Sequence, residues 1–318
     1  MENTRPVTPE YSVVIPVFNS TESLTELCKR LRTVLSGITT TGYEIILVDD
    51  GSANPETWPL IHKLSNSFRD IKGVRLTRNF GKQAALIAGF TESRGKYIIT
   101  MDDDLQHAPE DIPVLLREKH HMVVAGRFAK KEHGILKRFF SNFNDRAETL
   151  LIGKPSHVRN SPFKMIRREI IDGILQIKTP YPSISALLFY VTRDAVNVTV
   201  SHNPRLHGET GFTFRKMLRV FLNMAFHNSA FFLKAIASTG FTISLASFAI
   251  GLIYLVKKLT VGIPVPGYTS LITVVSFLGG LTLSAIGVLG EYLIRIINGV
   301  ESKPPFVIER KVCFTDEQ

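Results

Sequence analysis

The stretch Thr100-Met101-Asp102-Asp103-Asp104-Leu105-Gln106-His107 follows directly on Tyr97-Ile98-Ile99. The apolar run reads as a strand buried on both faces, as strands inside a parallel sheet are. Three carboxylates therefore stand at a strand's C-terminal end, where open α/β sheets bind ligands. In extended backbone, side chains at i and i+2 point the same way. Asp102 and Asp104 are then expected to converge on one hard cation. Such an ion, held by carboxylates with water left over, suits a diphosphate substrate. The competing reading is an acidic, helix-capping loop, since Glu110 and Asp111 also precede an apolar run.

Upstream, Tyr11-Ser12-Val13-Val14-Ile15-Pro16-Val17 reads as a first strand, with Pro16 expected to end its ladder. Asn19-Ser20-Thr21-Glu22 offers cap chemistry for a helix with apolar positions at Leu24, Leu27, Leu31 and Leu35. Residues 44–48 form a second β-rich run, closing on Asp49-Asp50-Gly51-Ser52. A helix is expected over 57–67 and a short strand over 73–76. Arg78-Asn79-Phe80-Gly81-Lys82 then leads into a small-residue helix over 83–91. Strand and helix patterns alternate to residue 125, which argues a mostly parallel sheet covered on both faces. In such a sheet the acids at 49–50 and 102–104 share one edge. One cluster can meet a base or ribose while the other meets metal and diphosphate. No G-x-G-x-x-G and no G-x-x-x-x-G-K-[ST] is present, which disfavours a dinucleotide fold and a P-loop.

The chain has 318 residues and a net charge of +10, which suggests an anionic partner. Cys28 and Cys313 supply neither a disulfide framework nor zinc spacing. Residues 1–10 are polar without a signal-peptide core, so the bulk of the chain is expected in the cytosol. Over 127–168, eleven Lys/Arg stand against three acids. Residues 135–152 mix Leu136, Phe139, Phe140 and Phe143 with Lys137, Arg138 and Arg146, a pattern that can lie in a membrane interface. No nucleic-acid-reading motif accompanies the charge, so no nucleic-acid partner is expected. A second basic, apolar segment covers 213–235.

Residues 236–256 and 270–290 are two runs of 21 residues without a charge, separated by a Gly/Pro turn at 262–267. Each can cross a hydrocarbon core of about 30 Å at about 1.5 Å per residue, so a transmembrane hairpin is expected over 236–297. Basic residues crowd before the first run and after the second (Arg295, Lys303, Arg310, Lys311), whereas Lys257 and Lys258 alone mark the first run's other end. The positive-inside rule puts both termini and residues 1–212 in the cytoplasm, with 298–318 as a cytoplasmic tail.

Several stretches together resemble the GT-A-fold glycosyltransferases of family 2 that act on polyprenyl phosphate at the membrane. They are Val13-Val14-Ile15-Pro16-Val17-Phe18-Asn19, Leu47-Val48-Asp49-Asp50-Gly51-Ser52, Arg78-Asn79-Phe80-Gly81-Lys82, Asp102-Asp103-Asp104-Leu105-Gln106-His107, Arg205-Leu206-His207-Gly208-Glu209-Thr210 and Leu289-Gly290-Glu291-Tyr292. The resemblance runs from about residue 11 to about residue 306. It implies a Rossmann-like GT-A domain, interfacial helices and a two-helix anchor in the inner membrane. It further implies a nucleotide-sugar donor (a UDP-sugar favoured), an undecaprenyl or other polyprenyl phosphate acceptor, Mg²⁺ or Mn²⁺, and a homo-oligomer, often a tetramer. By the same resemblance, Pro16, Asn19, Glu22, Asp49, Asp50, Lys82 and Asp103 would line the nucleotide. Asp102, Asp104 and Gln106 would surround the metal, and Arg127 and Arg205 would grip phosphates, as guanidinium forks do well.

This chain departs from the family at Ser20, where an acid is usual, and at Thr210-Gly211, where a Ser-Lys pair is common. Pro162 of Ser161-Pro162-Phe163-Lys164 stands where many relatives carry the Asp of an Asp-Phe-Arg pattern, proposed as a general base. A phosphate monoester has its second pKa near 6, so the acceptor oxygen is largely ionised at neutral pH. Positioning and charge screening matter more to such a nucleophile than deprotonation. The expected chemistry is an inverting displacement at the anomeric carbon. The contrasting reading is a catalytically impaired membrane scaffold that binds nucleotide sugar without turnover.

Overall fold

The computed structural model describes residues 8–128, 148–150, 152–179, 182–201 and 304–314, together with isolated positions between 242 and 300. The chain divides into two units, Met1–Thr213 with Ser302–Gln318, and Phe214–Glu301.

The first unit is built on an eight-stranded sheet in the order β7-β5-β6-β4-β1-β2-β3-β8. Its strands are β1 (Tyr11–Val17), β2 (Tyr43–Asp49), β3 (Ile71–Leu76), β4 (Tyr97–Thr100), β5 (Val123–Phe128), β6 (Lys164–Arg167), β7 (Ala195–Val200) and β8 (Ile308–Cys313). Strands β3, β2, β1 and β4 run parallel, as the alternation of strand and helix patterns predicts. Strands β6 and β8 run antiparallel to their neighbours, so the sheet is mixed. This is an α/β arrangement, parallel at its centre.

Side-chain alternation along the central strands feeds two cores. Val13, Ile15, Ile45 and Leu47 pack with helices α1 (Leu24–Ile38), α2 (Thr57–Ser67) and α4 (Ile112–Arg117). Val14, Ile46 and Val48 pack on the other face with α3 (Lys82–Glu92), α5 (Arg168–Gln176) and α6 (Ile184–Val191). Leu24, Leu27, Leu31 and Leu35 all face the first core, which confirms the helical spacing of α1.

Two local expectations change. Pro16 does not end β1, because Pro16 pairs with Val48 and Val17 with Asp49. The Val14 carbonyl accepts from Met101 on the β4 side, so the Pro16 nitrogen faces that side as well. The β1–β4 ladder stops at Val14 opposite Thr100, and the missing N–H of Pro16 costs no ladder bond. The expected tail over 298–318 supplies a strand, since Gly73 of β3 stands opposite Val312 of β8. A Cβ on Gly73 would lie 2.7 Å from both Ile61 and Val312, so glycine here lets α2 and β8 close on β3.

In the second unit, described positions such as Leu271, Val274, Val275, Ile286, Leu289 and Leu293 are helical and exposed. Among the described residues no helix is long and apolar enough to cross a membrane. The run at 236–256 lies outside the described residues apart from Thr242, and 270–290 is described only at separate positions. The amphipathic segment over 213–235 and most of 135–152 also lie outside them.

Candidate active site

The parallel register sets Val17, Asp49, Leu76 and Thr100 at one edge, so the segments that follow them converge. Asp50 is 4% exposed, and its Oδ1 and Oδ2 accept the N–H groups of Phe80 and Gly81 at 2.8 and 2.9 Å. Burial raises its pKa against the lowering effect of those bonds. Gly51 turns the chain at φ 60°, and a Cβ there would lie 2.2 Å from the Arg78 carbonyl carbon. Asn19, at φ 55°, donates its N–H to Ser52 Oγ at 2.9 Å and accepts the Asn54 N–H on Oδ1 at 3.0 Å. The segments after β1, β2 and β3 are thereby locked into one wall.

Asp49 departs from expectation. It is fully buried, its Oδ1 accepts the Ser52 N–H at 2.9 Å, and its Oδ2 stands 3.6 Å from Arg75 Nε. Successive residues of a strand point to opposite faces, so Asp49 turns into the fold while Asp50 lies against the Phe80–Gly81 wall. Its carboxylate is held by Ser52 and Arg75 inside the fold.

The acid loop is a turn, not extended chain. After β4 the backbone bends, and Leu105, 1% exposed, takes φ 57°. That cost is met by burial of its side chain in the first core. The i, i+2 rule for extended chain therefore does not govern Asp102 and Asp104. Asp102 forms an ion pair with Lys82, and Asp104 Oδ1 accepts the Gln106 N–H at 3.2 Å. Burial, reinforced by Asp102, raises the Asp103 pKa to about 6, while a hydrogen bond from Ser20 acts against the rise. Ser23 donates to the Asp103 carbonyl at 2.5 Å. His107 is buried, stacked on Phe128 at 4.4 Å and Phe163 at 5.1 Å, and so anchors the loop's far end.

The donor set is carboxylate and amide oxygen, which fits Mg²⁺ or Mn²⁺. The Lys82 ammonium stands on Asp102, so a bound ion would share that carboxylate with it. Glu22 is exposed before α1, and Pro16 reaches the same edge. Arg127 is exposed near the end of β5, which runs in the direction of β4. Arg205 lies outside the described residues.

Lys164 is a site residue not singled out from sequence. It pairs with Thr100 across β4–β6, is 6% exposed, and donates to Asn160 Oδ1 at 3.1 Å. Burial and the nearby Lys82 charge lower its pKa to about 8, against the pull of Glu148 and Asp102. The one signal was its place two residues after Pro162, where the resembling pattern has Arg. The Pro162 carbonyl accepts the Thr100 hydroxyl at 2.7 Å.

A parallel-centred α/β sheet thus carries clustered acids and a lysine beyond its strand ends. Residues 12–175 match the profile of glycosyl transferase family 2, and the chain belongs to that family. It is 34% identical to an uncharacterized glycosyltransferase of Synechocystis sp., covering 95% of each chain. It is 30% identical to the undecaprenyl-phosphate 4-deoxy-4-formamido-L-arabinose transferase of Photorhabdus laumondii, covering 95% of this chain and 94% of that one. The protein of that name from Pseudomonas aeruginosa is 32% identical, covering 96% and 91%. Among solved structures, M. tuberculosis glucosyl-3-phosphoglycerate synthase matches with a TM-score of 0.49 at 14% identity, over 70% of this chain and 81% of that one.

Proposed function

We propose that this glycosyltransferase moves a sugar from a nucleoside diphosphate, UDP favoured, to undecaprenyl phosphate or a close polyprenyl relative, for cell-envelope glycan modification. The observation that carries the reading is end-to-end similarity. Relatives whose names contain that acceptor match about 95% of this chain, the acid-bearing edge and the long uncharged runs alike. The reading includes a two-helix anchor in the inner membrane, with the sheet domain and both termini cytoplasmic. It also includes an oligomer of like chains.

The donor's nucleotide lies along the wall of Asn19, Asp50 and residues 78–81, with Asp103 at its side. Asp102 and Asp104, with Gln106, would hold Mg²⁺ or Mn²⁺, which supplies charge screening for the diphosphate. Lys82 and Lys164 add positive charge at the same place. Arg127 and Arg205 receive phosphates of donor or lipid. The lipid phosphate oxygen attacks the anomeric carbon as the bond to the diphosphate breaks, inverting that centre. A largely ionised acceptor needs no proton removed, consistent with Pro162 where relatives carry an acid.

The test is full-length protein in detergent with Mg²⁺, a panel of nucleotide sugars and undecaprenyl phosphate, the lipid followed by mass spectrometry. A lipid mass raised by one sugar supports the reading and identifies the sugar class. Nucleotide binding with no product from any donor would replace it with the scaffold reading. Asp104→Asn should lower turnover on the order of 100-fold at saturating metal, and unchanged turnover would remove the metal assignment.

A further inference from the structure

The turn between α4 and β5 carries Glu118-Lys119-His120-His121. One ligand atom from each of Glu118, His120 and His121 lies within 4.8 Å of the other two. The two imidazole rings stand 4.3 Å apart, and His120 Nε2 is 3.5 Å from Glu118 Oε2. His121 Nδ1 is 2.5 Å from Asp194 Oδ1, and the other Asp194 oxygen accepts the Met122 N–H at 3.1 Å. The Asp194 backbone N–H donates to Thr192 Oγ1 at 3.1 Å, while His121 and the Met122 N–H hold one carboxylate oxygen each.

A neutral imidazole has one N–H and one lone pair. With Nδ1–H given to Asp194, the lone pair of His121 sits on Nε2, away from the carboxylate. A carboxylate on the far nitrogen is the usual orienting partner of a metal-binding histidine. Ion pairing alone is a weaker account of the cluster. Exposed pairs of this kind contribute little to stability. A shared divalent ion uses the same donors with both rings neutral.

We infer that Glu118, His120 and His121 form a second metal site, for a transition cation of the Zn²⁺ class, with Asp194 as the positioning residue. Two imidazoles and one carboxylate suit Zn²⁺ and disfavour Mg²⁺, and three protein ligands leave a position for water. The site precedes β5 and β7, at the edge of the sheet opposite the acid loop. A bound ion there staples the α4–β5 turn, and Asp194 links that turn to the start of β7, its carbonyl accepting the Val123 N–H at 3.2 Å.

The test is calorimetric titration of metal-stripped, full-length protein with Zn²⁺ in excess Mg²⁺, which occupies the acid loop. The expected result is a Zn²⁺ site that persists in Asp102→Asn and disappears in His120→Ala/His121→Ala. Asp194→Asn should weaken it about 10- to 100-fold. A Zn²⁺-dependent rise in melting temperature should follow the same pattern. Zn²⁺ binding that is absent from the unaltered chain, or equal in the double variant, would overturn the assignment. Melting without metal reports whether each variant is folded.

Discussion

Ser23 donates its hydroxyl to the Asp103 backbone carbonyl at 2.5 Å, joining the start of α1 to the middle of the acid loop across 80 positions of sequence. Ser20 adds a second tie, a hydrogen bond to the Asp103 carboxylate. Ser20 stands where the family's usual residue is an acid. An acid there would set a fourth carboxylate against three, whereas the hydroxyl stabilises the buried charge. The departure is thus compatible with a working site.

Ser23→Ala should cost about 1 kcal/mol of stability, the ordinary net worth of one hydrogen bond. Its larger effect should be on metal dependence, because the acid loop loses its tie to α1. A several-fold rise in the Mg²⁺ concentration for half-maximal turnover is the expected outcome. Turnover at varied Mg²⁺, with urea denaturation alongside, checks both. An unchanged Mg²⁺ requirement would mean that Leu105 and His107 position the loop unaided.

Asp50→Asn should separate a wall residue from a chemical one. The carboxylate accepts two backbone N–H groups, one on each oxygen, and in an amide one of those two positions is an NH₂ donor. The unmatched N–H and the amide's own donors loosen residues 78–81. We expect the donor KM to rise about tenfold with kcat little changed. A fall in kcat at constant KM would place Asp50 in the transition state instead.

Lys164 makes a pH prediction with a definite sign. A lysine takes its proton at about 10.5 when exposed, and this one does so at about 8 in the fold. Above both values the ammonium is absent from either state. As pH falls from about 10.5 to about 8 only the unfolded chain is protonated, so stability is lost. Below about 8 the loss is complete, roughly 3 kcal/mol at most. Lys164→Met should therefore raise the urea midpoint at pH 7 while lowering turnover at least tenfold. The gain in midpoint should shrink toward pH 10. A gain of constant size across that range would assign it to packing.

Much of this site is legible in one dimension because parallel topology brings strand ends together. Short buried runs ending in acids, at Val48-Asp49-Asp50 and Ile99-Thr100-Met101-Asp102, announce both the strands and their shared edge. What stays hidden depends on contacts between distant segments. Which of Asp49 and Asp50 faces inward depends on strand phase, and a doubly buried strand carries no polar alternation to reveal it. The turn at Leu105 takes a backbone conformation that leucine does not advertise. β8 pairs with β3 from more than 230 positions away, and its exposed Glu309, Arg310 and Lys311 read locally as a tail. A single charge in Phe163-Lys164-Met165-Ile166 looks like a solvated face until the pairing with Thr100 buries it.

Gly51→Ala tests whether the wall of the nucleotide side is one body. The added Cβ would meet Arg78 backbone atoms at 2.2 and 2.6 Å and the Asn79 nitrogen at 2.6 Å, and backbone cannot swing aside as a side-chain end can. The φ of 60° adds the ordinary penalty of a left-handed conformation, about 1 kcal/mol. Separation of residues 50–52 from 78–81 would also pull Phe80 and Gly81 from the Asp50 carboxylate. We expect a loss of about 3 kcal/mol in denaturation and loss of measurable nucleotide binding at concentrations that saturate the unaltered chain. Gly73→Ala provides the contrast. There the clash is with the side chains of Ile61 and Val312 at the far side of the sheet, so stability should fall while donor affinity in the folded fraction holds. If both variants lose nucleotide binding to the same degree at equal stability loss, the wall has no special part in holding the donor.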